Sequence, residues 1–213
     1  MGVGVTALLM FVVVFHLESA LADEQSAVRL FDSVAVYTAQ GADHNFKELP
    51  EKILTWDIEW EKSYFIALGL SKTRGTLGES LEFLNETLFA DFGHGYELVL
   101  VQHRGLQSNQ EIGGAYILRT PDGYLGPLGV NFGGGMGLSY AFGTPNYEDG
   151  PRDDPDRRYR LQLLALFELE WRIRGVEEFS FVTRVHHRSG GYGVIAPRYV
   201  GSNFMVAGLR YQF

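Results

Sequence analysis

Apolar and polar residues alternate with period two through most of the chain, the pattern of strands with one greasy face. In the last twelve residues, "SNFMVAGLRYQF", one face carries Met205, Ala207, Leu209, Tyr211 and Phe213, and the other carries Val206, Gly208, Arg210 and Gln212. In "YRLQLLALFELEW" the odd positions from Tyr159 to Trp171 are all apolar, while Arg160, Gln162, Glu168 and Glu170 fall opposite. In "LGVNFGGGMGLSYAF" large residues (Val130, Phe132, Met136, Leu138, Tyr140, Phe142) alternate with Asn131, Gly133, Gly135, Gly137, Ser139 and Ala141.

Large apolar residues on one side and small or charged ones on the other describe a barrel wall. A soluble sandwich also alternates, but a packed core would not take Glu168, Glu170, Arg184 and Arg210; a narrow lumen does, because they can pair there. The aromatics near strand ends, Tyr64, Tyr140, Phe142, Tyr159, Trp171, Tyr211 and Phe213, suit interfacial girdles. Strands are predicted at roughly 31–40, 62–72, 95–104, 109–119, 128–142, 159–171, 178–189 and 202–213. The fold class is therefore all-β, a single closed antiparallel transmembrane β-barrel of eight strands. Residues 78–93, "GESLEFLNETLFADFG", remain as a helix or loop insertion, or a ninth strand that would spoil the count. With the N-terminus starting in the periplasm, loops at about 41–61, 105–108, 143–158 and 190–201 face outward.

Composition narrows the compartment. An apolar run from Ala7 to Phe15, too short to span a bilayer, precedes Ala20-Leu21-Ala22, so residues 1–22 read as a signal peptide and 23–213 as the barrel domain, although the first 26 residues hold no Lys or Arg. Without cysteine, the exported chain holds together through its sheet rather than disulfides. A net charge of -8 disfavours nucleic acid as a partner.

Candidate chemistry lies in "FSFVTRVHHRSGG". Its outward face carries Phe179, Phe181, Thr183, Val185, His187 and Ser189; Ser180, Val182, Arg184, His186 and Arg188 face the lumen. Residues two apart on a strand lie about 6–7 Å apart, so the side chains of His187 and Ser189 can lean together. A hydroxyl beside a neutral imidazole is the minimum apparatus for nucleophilic attack on a carbonyl. Asn203, of the same outward parity on the next strand, can orient the imidazole. Polar side chains on a lipid-facing wall are costly, yet at headgroup depth they are well solvated, and His-x-Ser arises readily by chance. The pattern alone leaves both readings open. His186, Arg184 and Arg188 are expected to partner Glu168 and Glu170.

The tail "RVHHRSGGYGVIAPRYVGSNFMVAGLRYQF", with "GMGLSYAFGTPNYED" and "LLALFELEW" before it, resembles the lipid A 3-O-deacylase (PagL-type) outer-membrane barrels. The resemblance covers roughly the last 85 residues. It implies an esterase of the bacterial outer membrane that cleaves an ester-linked acyl chain of lipid A, with Ser189 as nucleophile and His187 as base. The family's acidic orienting residue falls near Ser202 and Asn203, where no carboxylate is found, and its Asn after the serine is replaced by Gly190. An amide oxygen on Asn203 can still hold the tautomer, and the amides of Gly190 and Gly191 can form an oxyanion hole.

Arg188 and Arg198 are candidates for meeting glycolipid phosphates. The implied partners are lipid A or lipopolysaccharide in the outer leaflet and, through the C-terminal strand ending in Phe213, the outer-membrane assembly machinery. No cofactor or metal is expected, since His44, His94 and His103 lack metal-ligand spacing, "EDGPRDDPD" does not match a calcium loop, and the glycines of "GVNFGGGMG" fall at alternate strand positions. The competing reading is a catalytically inactive structural or lipid-binding barrel, and the missing carboxylate favours it.

Overall fold

The computed structural model describes residues 29–213; the expected signal peptide, 1–22, lies outside the described residues. Eight long strands form one closed antiparallel barrel: β1 (Ser33–Ala42), β2 (Trp60–Thr76), β3 (Gly93–Gly105), β4 (Gln110–Arg119), β6 (Leu128–Phe142), β7 (Leu161–Ile173), β8 (Val176–Ser189) and β9 (Gly201–Gln212). Each pairs with the next, β4 pairs with β6, and β9 closes onto β1. A short rung, β5 (Gly123–Leu125), extends the β6 edge and has no counterpart in the sequence expectation. Residues 77–92 are an insertion between β2 and β3, with a short helix α2 (Leu77–Ser80) and a 3-10 turn (Glu82–Leu84), so they do not disturb the count. Helix α1 (Leu49–Thr55) sits in the loop between β1 and β2.

The expected parity holds along the wall. Leu209, Met136, Leu138, Phe132 and Phe181 are exposed outward, while Glu97, Glu168, Glu170, Arg184 and Arg210 are buried inside. Tyr37 sets the width of the lumen. Its ring lies between Gly69 and Gly208, where an added Cβ would approach it to 2.7 and 2.4 Å, and its hydroxyl reaches Arg184 at 3.0 Å and Arg210 at 3.2 Å. Any side chain at Gly208 would evict that ring.

Charge fills the rest of the interior. Arg184 binds Glu97 (2.5 Å) and Glu168 together, Arg210 binds Glu170 at 2.9 Å and Glu168 at 3.2 Å, and Arg119 binds Glu168 at 2.8 Å. Burying these ions is tolerable only because every carboxylate meets a guanidinium. Towards the other end, His103 and His186 share Glu111 at 3.0 and 3.1 Å. Arg184 thus partners Glu168 as expected, but His186 and Arg188 do not reach Glu168 or Glu170: they stand higher in the barrel and pair with Glu111 and with Glu148 from the loop between β6 and β7.

Candidate active site

The wall alternation that buries Arg184, His186 and Arg188 turns Val185, His187 and Ser189 outward at the end of β8. His187 lies directly opposite Asn203 in the β8–β9 register, and Ser189 lies opposite Gly201. The imidazole Nδ1 and Asn203 Oδ1 are 2.7 Å apart. The other end of that amide fixes the roles: Asn203 Nδ2 donates to the carbonyl oxygen of His44 at 2.7 Å. Its oxygen must then face the ring and accept from Nδ1–H. Nε2 is thereby left with its lone pair.

A residue without any signal in the strand pattern covers this pair. Phe46 stacks on His187, with ring centroids 4.3 Å apart and planes 25° from parallel, and also touches Phe167 at 5.4 Å. The loop carrying Phe46 is tied down at its base, where Asp43 N–H donates to Glu59 O (3.0 Å) and Glu59 N–H donates to His44 Nε2 (2.9 Å). The one hint in the sequence is a lone phenylalanine inside the polar run "DHNFKE".

Ser189 Oγ accepts from the Gly191 amide at 3.4 Å and makes no hydrogen bond to His187. Attack would therefore begin with a rotation about the Ser189 side-chain bond, a common gap between a resting hydrolase and its substrate complex. Gly191, at φ +60, thus turns its amide towards the Ser189 hydroxyl. Gly190 acts mainly through its carbonyl, which accepts from the amides of Gly193, Ile195 and Ala196 at 3.1–3.3 Å. An added Cβ there would meet Pro197 O at 2.0 Å, so only glycine fits this turn.

The two arginines separate. Arg198 is exposed, its Nε donating to Tyr192 O at 3.2 Å. Arg188 is fully buried: it holds Glu148, donates to Ser139 Oγ at 2.7 Å and to Arg160 O at 2.8 Å. The expectation that Arg188 meets a phosphate is thus corrected, because lumen parity and three internal partners keep its guanidinium from any outside ligand.

Behind Asn203 lies a polar hollow of about 170 Å³ lined in part by Asp43, His44, Tyr147, Asp149 and Ser202. Burial and the nearby Asp43 raise the Asp149 carboxyl above its ordinary value. Around the same rim, Leu54, Trp56, Tyr192, Val194 and Tyr199 expose large apolar surfaces.

No protein-family model matches this sequence, and no curated protein does. Among solved structures, the chain is similar to the outer membrane enzyme PagL, with a TM-score of 0.54 and 13% identity over 84% of this chain and 99% of that one. A second similar structure is Neisserial surface protein A (NspA), with a TM-score of 0.47 and 10% identity over 85% and 96% of the two chains. The likeness is one of fold.

Proposed function

We propose that the protein is an outer-membrane esterase that hydrolyses an ester-linked acyl chain of lipid A, with Ser189 as nucleophile and His187 as general base. The observation that carries this reading is the amide relay His44 O to Asn203 to His187 Nδ1, which leaves Nε2 basic two residues from a hydroxyl, on an outward apolar wall. Orienting a ring this way has no evident structural use. The lumen is closed by paired charges, so a substrate reaches the pair sideways from a lipid leaflet, and the apolar rim around it suits that environment. Exposed Arg198 is the candidate for a glycolipid phosphate.

Chemically, His187 Nε2 takes the Ser189 proton as Oγ adds to the acyl carbonyl. The Gly191 amide supports the oxyanion, and the imidazolium returns the proton to the departing sugar oxygen. Water then releases the fatty acid by the same steps in reverse order. Asn203 stabilises the imidazolium less than a carboxylate would.

A second reading, an inactive barrel that keeps the fold, draws on the absent His187–Ser189 hydrogen bond and the absent carboxylate. Mass spectrometry of lipid A from a host lacking such an enzyme separates the two. Expression of the intact chain should remove one ester-linked acyl chain, and both Ser189→Ala and His187→Ala should abolish that loss while the barrel still folds. His186→Ala should keep most activity, because its ring faces Glu111 in the lumen. Unchanged lipid A with the intact chain, or equal losses at His186 and His187, would sink the esterase reading.

A further inference from the structure

The insertion between β2 and β3 leaves the barrel at the end opposite Ser189, because β2 and β8 both run between the two mouths. It is a compact unit. Thr76 and Glu79 form a reciprocal capping box at the start of α2, Leu77 N–H donates to Phe92 O at 2.8 Å, and Gly78 N–H donates to Ala90 O at 2.9 Å. Yet it leaves Leu81, Phe83, Leu88 and Phe89 at 41, 77, 78 and 46% exposure. Four such side chains in water, on a sixteen-residue loop, would form an unusually greasy patch.

What binds this loop to the wall is a chain of three polar side chains. His94 has outward parity on β3 but is only 8% exposed, because Ser80 covers it with Oγ 2.6 Å from Nε2, while Nδ1 meets the hydroxyl of outward-facing Tyr116. A serine on an imidazole invites comparison with a second hydrolytic pair, but the proton order opposes it. A phenol is a better donor than acceptor, so Tyr116 donates to Nδ1 and Nε2–H donates to Ser80. No lone pair is left to take the serine proton. The triplet is a pin.

The pin ties the insertion, through Ser80 and His94, to the outward face of the wall at Tyr116, so its exposed apolar side chains leave the barrel on the side of that face. The opposite character is just as consistent: residues 77–93 contain Glu79, Glu82, Glu86 and Asp91 and no Lys, Arg or His. We propose that residues 77–92 form a foot that binds phospholipid of the leaflet on the side away from Ser189, with Phe83 and Leu88 among the acyl chains and the carboxylates at headgroup depth. Charge complementarity selects zwitterionic, ammonium-bearing headgroups over anionic ones. This rests on the membrane-wall reading above and goes beyond it in giving the non-catalytic end a lipid preference.

The chain has no cysteine, so single nitroxide labels can be placed cleanly. The full barrel would carry Phe83→Cys or Leu88→Cys, with Leu138→Cys on the wall and Asp153→Cys in a loop as references, in phosphatidylcholine and phosphatidylethanolamine vesicles. Labels at 83 and 88 should collide more with oxygen than with a water-soluble nickel chelate, as at 138. Adding His94→Ala should shift both towards the chelate while leaving 138 unchanged. Enriching the vesicles in phosphatidylglycerol should do the same, and an unchanged reading there would overturn the headgroup preference. If 83 and 88 behave like 153 while 138 stays in lipid, the foot is wrong and the wall reading stands. If 138 also reads as aqueous, both fall.

Discussion

His187 Nδ1 and Asn203 Oδ1 meet at 2.7 Å across the β8–β9 pair, and the same amide donates to His44 O at 2.7 Å, so a loop residue settles which way the asparagine faces. In the proposed mechanism Asn203→Ala removes a hydrogen bond to a group that becomes charged, a loss of about 1.5–3 kcal/mol, or roughly tenfold to a hundredfold in kcat. Asn203→Asp supplies a better partner for the imidazolium but sets a carboxylate oxygen against His44 O. It should recover part of the alanine loss, stay below the parent, and make residues 43–59 easier to cleave with protease. Full parental turnover in Asn203→Ala would show that the amide has no part in the reaction.

Phe46 places its ring face on the imidazole, where stacking steadies the neutral form and the ring quadrupole would favour the imidazolium of the proposed mechanism. Phe46→Ala should lower kcat by roughly twofold to tenfold, from about 0.5–1.5 kcal/mol of aromatic pairing. Phe46→Tyr should retain most activity and Phe46→Leu should fall between. Steady-state kinetics on a short-chain ester in detergent micelles would show it, and a rise in kcat for Phe46→Ala would mean that the ring obstructs the site instead.

Glu148 reaches from the β6–β7 loop into the barrel mouth, where burial, with Glu111 adding to it, outweighs the attraction of Arg188 and pushes its carboxyl from 4.5 to about 7. The folded chain therefore keeps a proton that the unfolded chain has already lost between those two values. Stability contributed at this site is present below about 4.5, falls as pH rises towards 7, and is level above that; the span is on the order of 3 kcal/mol. Glu148→Gln, which can still accept from Arg188, should flatten that slope in urea titrations of the micellar barrel. An unchanged slope would assign the pH dependence elsewhere.

Parity can be read directly by thiol labelling. Leu209→Cys and Leu138→Cys should react with lipid-soluble reagents and resist water-soluble ones, since both side chains stand on the outer wall. Val182→Cys, fully buried inside, should resist both. Rapid aqueous labelling at Val182 would mean an open pore, and a one-residue slip of β8 would exchange every assignment made for its two faces.

The wall was legible in the sequence because its outward positions keep period two over long stretches, even where Leu164, Leu166 and Val182 make the inner face apolar: "FSFVTRVHHRSGG" assigns His187 and Ser189 outward and His186 and Arg188 inward by counting alone. Asn203 followed from the same parity on the adjacent strand. Phe46, the His44 carbonyl and Glu148 did not, because their contacts join loops to strands across separations that no period encodes. Arg188 was misjudged for the same reason: its face was readable, but its partner comes from a loop. The rung β5 is three residues long, too short for alternation to register.

The buried charges carry a consequence for how the molecule comes together. Arg184 stands on β8 and Arg210 on β9, with Glu168 and Glu170 on β7 and Glu97 on β3, so Arg210 finds its counterions only beyond its neighbouring strands. Removing water from such a strand before its partners arrive would strand an ion in a nonpolar setting. The C-terminal hairpin of β8 and β9, which buries Arg184 and Arg210 together, therefore gains little by ordering alone, and the last strand is worth most at the moment the ring closes. Assembly should be all-or-none at the level of the circle, with the C-terminal strand as its latch.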